Sequence, residues 1–222
     1  GKTAQARSEL KKAARLYEKE HNKTGAASVK IALANLEISH KNYKNALNYA
    51  VEAETLLTKS TNLRLKLAAR FFKGESLAAL GNFSEAEQIL RTNYADALRQ
   101  EQKNIAQSSL NSLGKIYLQT GDLRRAENYF KKSVKIIESL RAPLAGEEFR
   151  MSFLADKLAP FENLAKIYLA QNKFNQAFAM IENSRARTLS ENLQTESTPD
   201  SNEKNASKTT KKLAALREEL NW

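Results

Sequence analysis

The chain has 222 residues, with 36 Lys and Arg against 25 Asp and Glu and a formal net charge of +11 at pH 7. Its 41% hydrophobic and 27% charged content is that of a globular protein able to bury a sizeable core, which excludes disorder throughout. With 7 Gly, 3 Pro and no Cys, the composition also excludes a Gly/Pro-turned sandwich, disulfides, thiolate metal sites and a cysteine nucleophile within this chain.

Long stretches of Ala, Leu, Lys, Glu, Asn and Gln suit helices, so an all-α chain is expected. No apolar run is long enough to cross a bilayer, and the opening Gly1-Lys2 is no signal peptide, so a cytoplasmic protein starting at a domain boundary is expected. Gly1-Lys2-Thr3 imitates the end of a phosphate-binding loop without the upstream glycine and strand that such a loop needs.

A ruler of forty residues runs through the chain. It carries Ala6, Ala46, Ala86 and Ala126, each followed four residues later by Leu10, Ala50, Leu90 or Phe130. Tyr43, Phe83 and Leu123 stand three residues before the last three alanines. The breaks ahead of them are Lys41-Asn42, Gly81-Asn82 and Gly121-Asp122. The preceding arm carries a small residue at Ala34, Gly74 or Gly114, which a neighbouring side chain needs for close approach. This is one helical hairpin written three times, over 26–60, 62–101 and 102–141. Residues 3 to 20 read as the second helix of a further hairpin whose first helix is missing, within a first segment 1–22. An exposed apolar face there predicts fraying or self-association. The extra residues of so long a period are expected to lengthen the helices by about a turn and a half. They should also fill the turns between hairpins at Thr58 to Asn62 and Arg99 to Asn104.

After Lys135 the ruler slips. The next match is Leu164, Ala165, Tyr168, Asn172, Phe174, Ala177 and Ile181, so Ala177 lies 177 − 126 = 51 residues after Ala126. An insertion of eleven residues is therefore expected between Arg141 and Asp156, where Pro143 and Gly146 mark a turn between helices ending near Leu140 and starting near Glu147. A last hairpin follows over 147–193. Residues 194–210 read as a flexible linker, and Leu213, Leu216 and Leu220 as the start of a connector helix over 211–222.

Candidate chemistry is sparse. His21 and His40 have no second ligand at helical spacing and read as solvated, so no metal and no cofactor is expected. Asn22, Asn82 and Asn205 match glycosylation acceptors, with no secretory signal to give them meaning. There is no nucleophile with a base, no metal spacing and no phosphate loop, so no enzymatic activity is expected of this fragment. Arg124, Arg125, Lys131, Lys132 and Lys135 form the nearest thing to a basic cluster, and make salt-sensitive binding of nucleic acid or an anionic surface the alternative function.

The small and large residues between Leu113 and Phe130 resemble the tetratricopeptide repeat (TPR). That resemblance implies a right-handed α-solenoid of TPR-like hairpins whose first helices line a concave groove. Helical spacing then selects Ile31, Asn35 and Ile38, next Phe71, Glu75 and Ala78, next Asn111, Lys115 and Leu118, and last Glu162, Lys166 and Leu169 as groove residues. Their mixed apolar, amide and charged character suits an extended peptide or helix better than a polyanion. Ile31 stands one turn before Asn35, where the carboxylate clamp of chaperone-type TPRs has Lys, which argues against a chaperone-tail receptor.

Three further runs carry a narrower resemblance: Ile137-Glu138-Ser139-Leu140-Arg141, Glu148 to Leu154, and Ala177-Phe178 with Glu182-Asn183-Ser184-Arg185-Ala186-Arg187-Thr188-Leu189. Over residues 107 to 193 the chain resembles the last repeats of the TPR–CHAT family, in which a TPR array precedes a caspase- and separase-like cysteine peptidase. The resemblance implies that the chain is the regulatory array of such a protein, with the peptidase absent, and that its partner is a protein ligand or its own peptidase domain. Glu182 and Arg185, at i and i+3, and Arg187 would pin the last repeat or contact that domain.

Overall fold

The computed structural model describes residues 2–145, 147–154 and 156–182, all within the first of two compact units, Gly1–Ser184. The linker at 194–210, the helix expected at 211–222, Asn205, Arg185 and Arg187 lie outside the described residues. The helices are α1 (Lys2–Lys19), α2 (Lys23–Ser39), α3 (Tyr43–Leu56), α4 (Leu63–Ala79), α5 (Phe83–Arg99), α6 (Lys103–Gln119), α7 (Leu123–Arg141), α8 (Glu147–Leu154) and α9 (Ala159–Ala170). A further helical segment covers 174–182. Among the described residues there is no strand; from α1 to α8 each helix packs on the next and α9 packs on α7, with α2 against α4 and α4 against α6 across one face. This is the all-α solenoid of hairpins that the forty-residue ruler leads one to expect.

Turns set the ruler. His21, Lys41, Gly81, Glu101 and Gly121 all have positive φ, at 54°, 61°, 85°, 54° and 83°. They fall on a twenty-residue grid that skips only Thr61, in the longer link after α3, so the repeat from 81 to 120 is two similar halves, each one helix and one left-handed turn residue. The left-handed residue ends each helix by turning its backbone out of the i to i−4 ladder. At 41, 81 and 121 the breaks are those expected within hairpins. At 101 the same three-residue break, 100–102, joins α5 to α6 with no lengthened turn, which corrects the expectation for Arg99 to Asn104. The extra residues there lie in the helices, α5 and α6 being 17 residues each. Between α3 and α4 the link is longer, 57–62, and Asn62 caps α4 by accepting from the Leu65 amide at 3.1 Å.

Small-to-large pairing holds each hairpin shut. A Cβ on Gly114 would lie 2.5 Å from Phe130, and one on Gly74 would lie 2.7 Å from Leu90. In the first hairpin, Ala34 and Ala50 occupy the matching positions and both are fully buried. The ruler alanines Ala46, Ala86 and Ala126 are fully buried as well, whereas Ala6 on α1 is exposed. Ala6 differs because no described helix stands where α2, α4 and α6 cover the other three.

One buried ion pair ties α1 down. Glu37, 2% exposed on α2, receives Arg7 Nε at 2.6 Å and Asn42 Nδ2 at 2.8 Å. Burial pushes the Glu37 carboxyl up, but the bonds from Arg7 and Asn42 outweigh it and hold the group below its ordinary value. At the other end, Phe130, Tyr117, Leu164, Ile167 and Tyr168 form a core that joins α6, α7 and α9. Tyr117 stacks on Tyr129 at 5.3 Å, lies under the Arg125 guanidinium and hydrogen-bonds Glu87 of α5. Burial and Glu87 push its hydroxyl up to about 12.

Candidate functional site

The first helices of successive hairpins, α2, α4 and α6, come together along one face because positions forty residues apart share a helical phase. Between them lies a cavity of about 210 Å³. Asn35 and Ile38 of α2, Phe71, Phe72 and Glu75 of α4, and Gln107, Ser108, Asn111, Ser112 and Lys115 of α6 line it. The fourth wall comes from the link between α8 and α9, through Asp156, Lys157, Ala159 and Pro160.

The electrostatics of the cavity are internally balanced. Glu75, on the α4 side, accepts from the Ser112 hydroxyl, and Lys115 Nζ lies 3.3 Å away. Lys157 pairs with its neighbour Asp156 at 2.6 Å, donates to the Phe153 carbonyl at 3.2 Å and sits 4.4 Å from the Phe153 ring. Gln107 is held from behind by a 3.0 Å bond to the Ser133 hydroxyl of α7. Asn111 Oδ1 is buried and has no hydrogen-bond partner. An unpaired buried acceptor costs about 1–3 kcal/mol, so Asn111 gains by meeting a donor.

The structure brings together Asn35, Ile38, Phe71, Glu75, Asn111 and Lys115 around this cavity. It does not bring the other residues selected by helical spacing. Ile31 is buried with Ala27, Ala53, Leu57 and Ala69, because the shorter α3 and the long link after it fold over that side of α2. Leu118 and Ala78 pack against cores on the far side of their helices. Glu162, Lys166 and Leu169 are exposed on α9, which reaches the cavity only through its first turn. The insertion explains this, since α8 packs on α7 and α9 enters after it, off the forty-residue phase. Glu182 is half-buried in segment 174–182.

Sequence reasoning missed Phe72, Gln107, Ser108, Ser112 and the whole α8–α9 wall. Stepping along one helical stripe omits its flanks, Phe72 and Ser112, and starting it at Asn111 stops one turn short of Gln107 and Ser108. The slipped ruler marked where the insertion falls, but a local count carries no direction, so nothing pointed Asp156 to Pro160 toward the groove.

The basic residues of α7 lie elsewhere and are partly neutralised. Arg125 bonds Asp122 at 2.5 Å, and Lys131 bonds Glu127 at 2.5 Å while facing the Tyr168 ring. Lys132 lies over the Tyr129 ring at 5.8 Å. Arg124 and Lys135 are exposed. His21 is an exposed turn residue, and His40 caps α2 with Nδ1 2.8 Å from the Leu36 carbonyl. No helix among the described residues is long and apolar enough to cross a membrane.

Comparison with known proteins accords with this geometry. The tetratricopeptide repeat family model matches residues 66–139. A solved structure of nearly identical TPR-like repeats, ascribed to a kinesin light chain of Podosopora anserina and carrying a single substitution, is similar with a TM-score of 0.61. It is 16% identical over 87% of this chain and 90% of that one. A second structure of those repeats gives 0.56 at 18% identity, over 84% and 87%. BtubC (BKLC) from P. vanneervenii gives 0.52 at 15% identity, over 90% and 93%. No curated protein matches the chain in sequence. The family model thus marks residues 66–139 as tetratricopeptide repeat, and the described residues share the fold of those structures, an α-solenoid of TPR-like hairpins.

Proposed function

We propose that this array is a protein-interaction scaffold that performs no chemistry itself and binds an extended peptide segment of a partner in the groove of α2, α4 and α6. The observation that carries the reading is the cavity itself. Apolar walls at Ile38, Phe71 and Pro160, a charge-balanced Glu75–Lys115 pair and an unmet acceptor at Asn111 converge there. Peptide recognition needs pockets for side chains together with polar groups for the backbone. Paired charges leave a polyanion little to bind.

The finer reading follows the resemblance of residues 107 to 193. The array belongs to a cytoplasmic protein of the TPR–CHAT kind, and its ligand is a protein signal or that protein's own caspase-like peptidase domain. Glu182, with Arg185 and Arg187, marks the junction. Reading the gene beyond codon 222 for a strand-rich segment with a His and then a Cys checks this part separately.

The scaffold reading is tested by selecting binders from a displayed library of random fifteen-residue peptides. Selected peptides should lose at least about tenfold in affinity, roughly 1.4 kcal/mol, when Asn35, Glu75 and Asn111 are changed together to Ala. Binders indifferent to that triple change would refute the groove as the interaction surface.

A further inference from the structure

The α8–α9 link alters what the groove can hold. Without it, α2, α4 and α6 would present an open trough, and an amphipathic helix about 10–12 Å across could lie along it. Asp156, Lys157, Ala159 and Pro160 wall that trough and leave a cavity of about 210 Å³. Drug-sized ligands occupy about 300–1,000 Å³, whereas an apolar cavity of about 150 Å³ accommodates a benzene ring. The space therefore matches one large side chain and is too small to take the full width of a helix.

Its chemistry narrows the choice further. Phe71 and Phe72 meet edge to face at 5.1 Å and 63°, an arrangement that a third ring extends favourably. Pro160, fully buried, closes the opposite side. Both charged pairs on the rim are satisfied within the protein, Glu75 by Lys115 and Ser112, Lys157 by Asp156. A charged anchor would meet pairs that are already neutralised and partly open to water, and gain little there. The one unmet demand is the Asn111 Oδ1 acceptor.

Resting on the groove reading above, we propose that the α8–α9 insertion makes this cavity a specificity pocket for a single phenyl-bearing residue of an extended peptide. The ring lies against Phe71 and Phe72, and Asn111 turns its carboxamide outward so that Oδ1, closed off from solvent in the free chain, accepts a backbone N–H of the same peptide. The insertion is then a selectivity element that sets which peptides the array accepts.

The test uses N-acetylated, C-amidated heptapeptides of Gly, Ser and Ala with a central Phe, Ala, Lys or Glu, titrated into the ¹⁵N-labelled 222-residue chain. The Phe peptide should bind about tenfold more tightly than the other three and shift the amides of Phe72, Asn111 and Lys157. Asn111→Ala should weaken it about fivefold. Ala159→Phe, which fills the cavity from within, should abolish Phe selectivity while leaving the thermal midpoint unchanged or higher. Equal binding of all four peptides in the groove overturns the pocket and leaves the scaffold reading standing. Phe selectivity that survives Ala159→Phe also overturns the pocket. Failure of every peptide to shift any groove amide counts against both.

Discussion

Two glycines of one hairpin do different work, and substitution separates them. Gly121 has φ of 83° and open space around its would-be Cβ, so Gly121→Ala pays only the left-handed backbone strain, about 1 kcal/mol. Gly114 is helical, and its Cβ would collide with Phe130, which is fully buried and has nowhere to go. Gly114→Ala should therefore cost about 2–3 kcal/mol in chemical denaturation despite the better helix propensity of Ala. The cost should shrink in a Phe130→Ala background, since Ala34 meets Ala50 at the matching position of the first hairpin. Additivity of the two changes would refute the steric account. At Lys41, with φ of 61°, the opposite change applies: Lys41→Gly should stabilise by about 1 kcal/mol. Acid dependence turns on Glu37. Its folded carboxyl is held below the ordinary 4.5, so the unfolded chain takes up its proton first. The stabilisation is fully present above pH 4.5 and is lost as the pH falls through the lower folded value. Against Glu37→Gln, the stability advantage of the natural chain should therefore narrow only below pH 4.5, as read from urea midpoints.

At the scale of the helix, legibility depended on whether a signal repeats. Ala46, Ala86 and Ala126 recur with their large partners four residues on, so the hairpins and the all-α class could be read from one chain. The twenty-residue subperiod escaped, because its mark is a backbone angle. His21, Lys41 and Glu101 share it with Gly81 and Gly121, and only the glycines advertise it. The cavity was legible where helical phase alone decides, at Asn35, Glu75 and Lys115, and illegible where one unrepeated element intrudes, at Asp156 to Pro160. The Arg7–Glu37 pair spans 30 residues between two helices, and no spacing rule joins them. Charge along α7 is visible in the sequence, and Asp122 and Glu127, three and four residues before Arg125 and Lys131, neutralise part of it. If peptide recognition belongs to the groove, changing Arg124, Lys132 and Lys135 of α7 to Ala should leave the affinity of selected peptides within about twofold at about 50 mM and about 300 mM salt. A loss that scales with salt would move the function to the basic face.

In a stack each hairpin touches only its neighbours, so the molecule's stability is a sum over local interfaces and its ends are weaker than its middle. α1 shows this most plainly. It packs mainly on α2, keeps Leu16 61% exposed and is held by Arg7 on Glu37 together with a small cluster of Leu10, Ala14, Tyr17, Leu33 and Tyr49. Arg7→Ala would leave a carboxylate whose side chain is only 3% exposed with Asn42 as its remaining partner, at a cost of about 3 kcal/mol. Fully cooperative unfolding would spread that cost over every helix. A one-dimensional stack confines it, because opening α1 returns Glu37 to water and leaves α4 to α7 packed. Native-state hydrogen exchange decides between the two. In Arg7→Ala the amides of α1 should exchange about a hundredfold faster, corresponding to about 2.7 kcal/mol, while those of α6 and α7 stay within about twofold. Gly114→Ala, set in the middle of the stack, should accelerate α6, α7 and α9 together. Uniform acceleration of all helices by Arg7→Ala would show a single cooperative unit.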